Sequence, residues 1–339
     1  MNKFSCPLGN PKKKGGGIGI KGEGGGGICK YNYKKKMILT RSGAKKILYH
    51  CKKCDFDFFT NDPKKNLVNN KLDVSRLYKA GISIPGISEE YKNGLRQSED
   101  YIRRYINKSD KFHKILEIGC GLGYFLELAK KKCIPFGLEL NKFKKNFVNQ
   151  RIKVRCEDQL NKYQGMKFKK IFMFYSFEYI KNPYKFLINL KSYLDKNGSI
   201  IIITPNKNDV IKNILENKSY KNFFYEENSI NYFSKRAMEI LAINVSFKKY
   251  KISTHQGYSI FNFINWFLNH KPQKTGYVGE DRYMHSFQKN LKILHNKNNN
   301  INNHIKKSLF KIFNETNKKF GLILKNYNLG NQVILKLNN

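Results

Sequence analysis

From residue 113 to about residue 250 the chain alternates short apolar runs with amphipathic stretches, and no other feature constrains the fold as strongly. That alternation predicts an α/β fold, a parallel sheet whose strands are joined by crossover helices. The buried-strand runs are KILEI (114 to 118), IPFGLEL (134 to 140), KKIFMFY (169 to 175) and GSIIIITP (198 to 205), the last the most hydrophobic and so expected at the centre. A helix is expected over 124 to 132. Before the last run, Asn182 reads as a helix cap and Pro183 as its first turn. Phe186, Leu187, Leu190, Tyr193 and Leu194 then share one helical face, with Asn197-Gly198 as the stop.

The first run opens directly into E-x-G-x-G-x-G, Glu117 through Gly123. A dinucleotide fingerprint needs G-x-G-x-x-G, but Tyr124 stands where the third glycine belongs. A carboxylate beside the turn would repel pyrophosphate and attract a ligand carrying an ammonium and a sulfonium, which describes S-adenosylmethionine. Glu139 closes the second run, where an acid can accept hydrogen bonds from both ribose hydroxyls. VRCEDQ sets Glu157 and Asp158 just past a short third strand, within reach of an adenine edge. A single acid on a Lys-rich chain is usually a solvated charge. Several at strand ends on one edge are not, because open α/β sheets bind ligands beyond the carboxyl ends of their strands.

With these residues in view, the chain resembles the class I S-adenosylmethionine-dependent methyltransferases, in particular the small-molecule branch grouped with ubiquinone-biosynthesis-type O-methyltransferases. LEIGCGLGYFLELAK is similar to the first motif of that family and FGLELN to its acidic second-strand motif. FYSFEYIKNPYKFLINLKSYLDKNGSIIIITPN resembles the block from the fourth to the fifth strand, and YFSKRAMEILAINVSF the helix leading to strand six. The resemblance covers residues 113 to 250 and implies a Rossmann-like sheet of seven strands with helices on both faces and a reversed last strand, for which NQVILKL (331 to 337) is the candidate. It implies an enzyme that binds S-adenosylmethionine through Glu117, Gly119, Cys120, Gly121, Gly123, Glu139, Glu157 and Asp158. Where many relatives carry Glu-His after the fourth strand, this chain has Glu178-Tyr179. A His there would titrate near neutrality, whereas an unshifted Tyr stays protonated, so no general base carries over. Methyl transfer relies mainly on positioning and desolvation. Glu178 and Tyr179 are therefore either shapers of the acceptor pocket or purely structural.

The flanks divide the remainder into residues 1 to 60, a helical lead-in over 61 to 112, and a C-terminal extension over 251 to 339. Cys51-x-x-Cys54 resembles one knuckle of a zinc ribbon, and a tetrahedral site wants four ligands. Gly9 stands where a partner for Cys6 would be expected, so Cys29, beyond the glycine-rich stretch 15 to 27, is the candidate third thiolate, with His50 as a substitute ligand. The set Cys6, Cys29, Cys51 and Cys54 would hold a structural zinc; the alternative is thiols in a degenerate ribbon. Some methyltransferases of nucleotide-linked sugars look similar, with a cysteine module ahead of the same core. Cys120, Cys133 and Cys156 read as small packing residues in a reducing compartment. The glycine-rich stretch is no phosphate-binding loop, since no Gly-Lys-Ser/Thr follows. In the extension, His255, Gln256 and Tyr258 follow the expected sixth strand and either face the acceptor or cap a helix whose apolar face is Phe261, Ile264, Phe267 and Leu268. NKNNNINN (296 to 303) reads as a loop or solvated helix surface.

Net charge is +40, yet only nine of the 65 basic residues are Arg, and the lysines are spread along the chain with Asn, Ile, Phe and Tyr. Residues sharing A/T-rich codons explain that excess without a selected nucleic-acid face, and Arg, the better phosphate fork, is scarce. No apolar run is long enough for a membrane span and no signal-peptide core is apparent, so a cytoplasmic protein is the expectation. The leading expectation is methylation of a small metabolite, such as a sugar or nucleotide-linked sugar. An RNA methyltransferase using the Lys-rich surface and a non-catalytic S-adenosylmethionine-binding protein are the alternatives.

Overall fold

The computed structural model describes residues 7–8, 33–59, 89–271 and 300–339. Strands β1 (Tyr33–Leu39), β2 (Lys45–Cys51) and β3 (Phe56–Phe59) form an antiparallel meander. Helix α1 (Glu89–Tyr105) precedes β4 (Lys114–Ile118), α2 (Tyr124–Ala129), β5 (Ile134–Leu138), α3 (Lys142–Phe147) and β6 (Cys156–Glu157). There follow β7 (Phe168–Phe174), α4 (Pro183–Lys191), β8 (Leu194–Pro205), α5 (Val210–Asn213), α6 (Lys218–Phe224) and β9 (Asn231–Tyr232). The chain continues through α7 (Lys235–Asn244), β10 (Lys249–His255), α8 (Ile260–Asn269), α9 (Asn300–Asn326) and β11 (Gln332–Asn338).

Seven strands make the main sheet in the order β10-β11-β8-β7-β4-β5-β6. Neighbours from β6 to β8 are parallel, while β11 runs antiparallel to both β8 and β10. NQVILKL is thus the reversed last strand that the resemblance implied. Burial on both faces explains why these strands read as unbroken apolar runs. Leu116, Ile118, Ile171, Met173, Ile200 and Ile202 pack on one face with Leu187 and Leu190 of α4 and Ala237, Met238 and Leu241 of α7. Ile115, Phe172, Ile201 and Ile203 pack on the other with Tyr101 and Ile102 of α1 and Phe125, Leu126 and Ala129 of α2.

One helix is shorter than the sequence pattern suggests. Asn182 caps α4, its Oδ1 accepting from Lys185 N at 2.9 Å, but the helix stops at Lys191. Tyr193 and Leu194 are therefore not on its face; Leu194 opens β8 and pairs with Phe168. Gly198 lies inside β8 at a register shift. A Cβ there would meet Leu194 Cγ at 2.8 Å and Phe168 O at 3.0 Å, so strand packing and not a helix end requires the glycine.

The second sheet has the order β1-β2-β3-β9. Tyr232, expected to lead into a helix, instead pairs with Asp57, and α7 starts only after Ser234, whose Oγ accepts from Ala237 N. Polar contacts join this sheet to the loop after β8 and to the residue after α6. Lys207 Nζ donates to Asp55 Oδ1 at 2.5 Å, Asn208 Nδ2 to Asp55 Oδ2 at 2.7 Å, and Tyr225 OH to Asp57 Oδ2 at 3.0 Å. Burial would raise Asp55, but Lys207 together with hydrogen bonds from Asn208 and Ser234 holds its carboxyl below the usual range.

Helix α8 also corrects an expectation. Ile264, Phe267 and Leu268 are exposed, and the buried residues are Asn262, Asn265 and Trp266. Trp266 turns the helix: its ring meets Tyr220 edge-on at 4.8 Å, and its carbonyl accepts from Asn217 Nδ2 at 2.9 Å. Residues 300 to 303 of the Asn-rich run lie in α9, and 296 to 299 fall outside the described residues.

Candidate functional site

The turn after β4 carries three residues in the left-handed region, Gly119 (φ +75°), Gly121 (φ +56°) and Gly123 (φ +75°), a conformation that only glycine adopts at no steric cost. Gly119 and Cys120 both donate backbone N–H to Leu138 O, at 2.8 and 3.2 Å, tying the turn across to β5. A Cβ at Gly119 would lie 2.5 Å from Ser176 Cβ, whereas at Gly121 it would meet nothing within 4 Å. The turn is closed behind Gly119 and open over Gly121.

Two carboxylates flank that opening. Glu139 Oε2 accepts from Gly121 N at 2.9 Å and its Oε1 from Asn141 N at 2.8 Å, so the side chain is fixed from both sides. Glu117 is 5% exposed, and its Oε2 has no hydrogen-bond partner among the described residues. Burial pushes its carboxyl well up, with the Cys156 thiol and Glu139 adding to the effect. An orphaned carboxyl oxygen of this kind suits a donor such as an ammonium. The residues present thus fit S-adenosylmethionine.

The other cofactor-side candidates are engaged elsewhere in this structure. Asp158 accepts from Lys145 Nζ at 2.7 Å and Lys162 Nζ at 2.9 Å, bonds that hold its carboxyl well below the usual range. Glu157 accepts from Arg155 Nε at 3.2 Å. Cys120 Sγ sits 3.6 Å from Cys156 Sγ, both against Gly137, where a Cβ would meet them at 2.9 and 3.0 Å. The two thiols fill the space a glycine leaves.

The acceptor-side candidates stand past the ends of β7 and β10. Ser176 Oγ donates to Ile118 O at 2.7 Å, binding the loop after β7 to the end of β4. Glu178 is buried and its Oε2 accepts from Thr204 Oγ1 at 3.1 Å; burial pushes its carboxyl up to about 8, against the pull of its hydrogen bonds. Tyr179 keeps 37% of its surface exposed, yet its hydroxyl donates to Glu226 Oε2 at 2.9 Å. Burial of that hydroxyl and the Glu226 charge push the phenol up, so it is no base at neutral pH. His255 ends β10, directly across from Gln332 on β11. Burial first, then the Arg104 cation, bring its imidazole down to about 4. It is neutral at pH 7.

Several residues at this end went unmarked in the sequence. Tyr175 takes φ +50°, and its hydroxyl accepts from Gln332 Nε2 at 2.5 Å. Tyr101 of α1 stacks on Phe174 at 4.3 Å. Only their chemistry as Tyr and Gln was legible, since the chain separates them by 74 and 157 residues.

Of the expected metal ligands, Cys6 and Cys29 lie outside the described residues. Cys51 at the end of β2 and Cys54 in the β2–β3 turn are buried, and no group of three His, Cys, Asp or Glu side chains among the described residues is arranged to hold a metal ion. His50 faces away from Cys51 by strand alternation, with its Nδ1 2.7 Å from Asp57 Oδ1, and so does not serve as the substitute ligand.

Residues 90–250 match the family model described as methyltransferase domain. No curated protein matches the chain. Among solved structures, an S-adenosylmethionine-dependent methyltransferase from Archaeoglobus fulgidus matches with 15% identity over 72% of this chain and 94% of that one, TM-score 0.45. Another from Thermotoga maritima matches with 14% identity over 81% and 98%, TM-score 0.42. A phosphoethanolamine N-methyltransferase from Haemonchus contortus, solved with S-adenosyl-L-methionine, matches with 13% identity over 72% and 52%, TM-score 0.41. Likeness at this level says nothing about an acceptor.

Proposed function

We propose that the chain, whose residues 90–250 match a methyltransferase-domain model, is an S-adenosylmethionine-dependent methyltransferase that methylates a small metabolite by direct in-line transfer. The carrying observation is the glycine turn, open over Gly121 and flanked by fixed Glu139 and orphaned Glu117. Bound there, S-adenosylmethionine supplies a sulfonium methyl group. The chain's own residues then do four things. Glu117 receives the ammonium. Glu139 receives the ribose hydroxyls, with Gly119, Cys120 and Gly123 shaping the bed, and Glu157 and Asp158 reach the adenine edge only by exchanging their contacts with Arg155, Lys145 and Lys162. Tyr175 to Tyr179 wall off the acceptor from water. Glu178, Tyr179 and His255 orient the acceptor, since desolvation and alignment carry most of such a reaction.

What supports a small acceptor over RNA is the charge at this end. The half-buried Glu226 carboxylate, which accepts from the Tyr179 hydroxyl, opposes a polyanion, despite the net charge of +40. Calorimetry with S-adenosylhomocysteine tests the donor site: Glu139→Ala is expected to weaken binding by more than about tenfold, and unchanged affinity would refute the assignment. Labelled methyl transfer into a fractionated extract tests the acceptor, and label found in RNA alone would refute a small molecule.

The proposal includes a structural zinc on Cys6, Cys29, Cys51 and Cys54. Its support is that Cys51 and Cys54 are buried in one core cluster with Leu8, two residues beyond Cys6. The Leu8 carbonyl is fixed there by Asn244 Nδ2 at 2.9 Å. Metal analysis of gently purified protein should give one zinc per chain; a ratio near zero counts against it.

A further inference from the structure

We propose that Tyr101, Tyr175 and Gln332 form a subsite for a pair of hydroxyls on a sugar-like acceptor, an inference that rests on the methyltransferase reading above. The three side chains come from α1, the end of β7 and the start of β11, and meet at the carboxyl edge of the sheet. Gln332 Nε2 donates to Tyr175 OH at 2.5 Å, leaving Gln332 Oε1 buried without a partner among the described residues. Tyr101 OH is likewise buried and unpartnered; it lies close enough to Tyr175 to perturb its ionisation but makes no hydrogen bond in good geometry. Tyr101 and Gln332 are 5% and 4% exposed. Buried polar atoms in native proteins are nearly always paired, so two orphans around one phenol mark a place where a ligand completes the network.

The groups are held in advance. Gln256 Oε1 accepts from Asn331 N at 3.0 Å, and Asn331 Oδ1 accepts from Gly257 N at 2.7 Å, cross-linking the loop after β10 to the residue before Gln332. A Cβ at Gly257 would lie 2.7 Å from Gln332 Nε2, so that glycine lets the amide reach Tyr175. On the far side, the Tyr101 ring is fixed by its stack on Phe174 at 4.3 Å.

The chemistry selects the ligand class. Gln332 Oε1 needs a donor. Tyr175 OH, having accepted from the amide, still has a proton to give, and Tyr101 OH can do either. A hydroxyl is both donor and acceptor, and two neighbouring hydroxyls match this set. The three side chains themselves carry no charge: burial raises both phenols, which stay protonated, and His255, opposite Gln332, is neutral at pH 7. Arg104, whose guanidinium lies 5.6 Å over the Tyr101 ring, pairs with Asp100 through Nη2, while its buried Nε has no partner among the described residues and can donate to a further ligand oxygen. An ammonium finds no free carboxylate here.

The test uses the full chain and a panel of a hexose, an inositol and a nucleoside-diphosphate hexose, read by saturation-transfer NMR with and without S-adenosylhomocysteine. At least one polyol should bind, and Gln332→Leu, Tyr101→Phe and Gly257→Ala should each weaken it by about tenfold or more, because a site built for a hydroxyl tolerates its own unpaired groups poorly. Their affinity for S-adenosylhomocysteine should stay close to wild type, which also shows that each variant folds. Loss of S-adenosylhomocysteine binding in the same variants would assign these groups to the donor and overturn the proposal. So would a panel in which nothing binds, or polyol binding indifferent to all three substitutions. Failure of the wild-type protein to bind S-adenosylhomocysteine is a separate result, and strikes the methyltransferase reading itself.

Discussion

The two halves of the sheet's carboxyl edge are built differently. The half proposed for the donor, past β4 and β5, uses backbone: three left-handed glycines, amides tied to Leu138 O, and Glu139 clamped by Gly121 N and Asn141 N. Its pieces lie within a few dozen residues of one another. The half proposed for the acceptor, past β7, β8, β11 and β10, uses side chains from distant positions, with Glu178 on Thr204, Tyr179 on Glu226 and Gln332 on Tyr175. Backbone geometry suits a ligand that does not vary, and side-chain chemistry suits one that must be told apart from its analogues.

Substitutions should separate the halves. The largest effect is expected at Gly119→Ala, where the φ of +75° and the 2.5 Å approach to Ser176 both forbid a Cβ. S-adenosylhomocysteine affinity should fall by more than about a hundredfold and stability by roughly 1–3 kcal/mol. Calorimetry together with thermal unfolding measures both, and a wild-type-like variant would mean that the turn is not the donor site.

Next is Glu178. Its carboxyl is raised from 4.5 to about 8 on folding, so between those values the unfolded chain has released a proton that the folded one keeps. Wild-type stability should therefore fall with rising pH, by up to about 1.4 kcal/mol per unit. Above pH 8 the loss should level off. Glu178→Gln should flatten that slope in chemical denaturation from pH 5 to 8, and an unchanged slope would show that Glu178 is not the group responsible. The smallest effect is expected at Tyr179→Phe. Losing one hydrogen bond to Glu226 should lower stability by about 1 kcal/mol and leave S-adenosylhomocysteine affinity unchanged; a large fall in affinity would erase the division between the halves.

Legibility followed the same division. KILEI, its glycine turn and the acid after β5 could be read because each signal is local: an apolar run, positive φ and strand-end placement lie close together along the chain. The boundary of α4 was misread because Tyr193 and Leu194 continue the helical period, and pairing of Leu194 with Phe168 overrode it. The α8 face was misread because Trp266 packs against Tyr220, far outside the helix's own pattern. Nothing near Tyr232 announces a strand; it becomes one because Asp57 of β3 is beside it.

By itself, the sequence determined the sheet's apolar strands, the glycine turn, Glu117 and Glu139, since these depend on backbone sterics and on burial patterns a few residues long. Only the tertiary structure decided that Gln332 grips Tyr175, that Glu178 is sealed beside Thr204 and that β9 extends the N-terminal meander. Those contacts join residues far apart along the chain, and their free energies exist only once the sheet has brought their partners together.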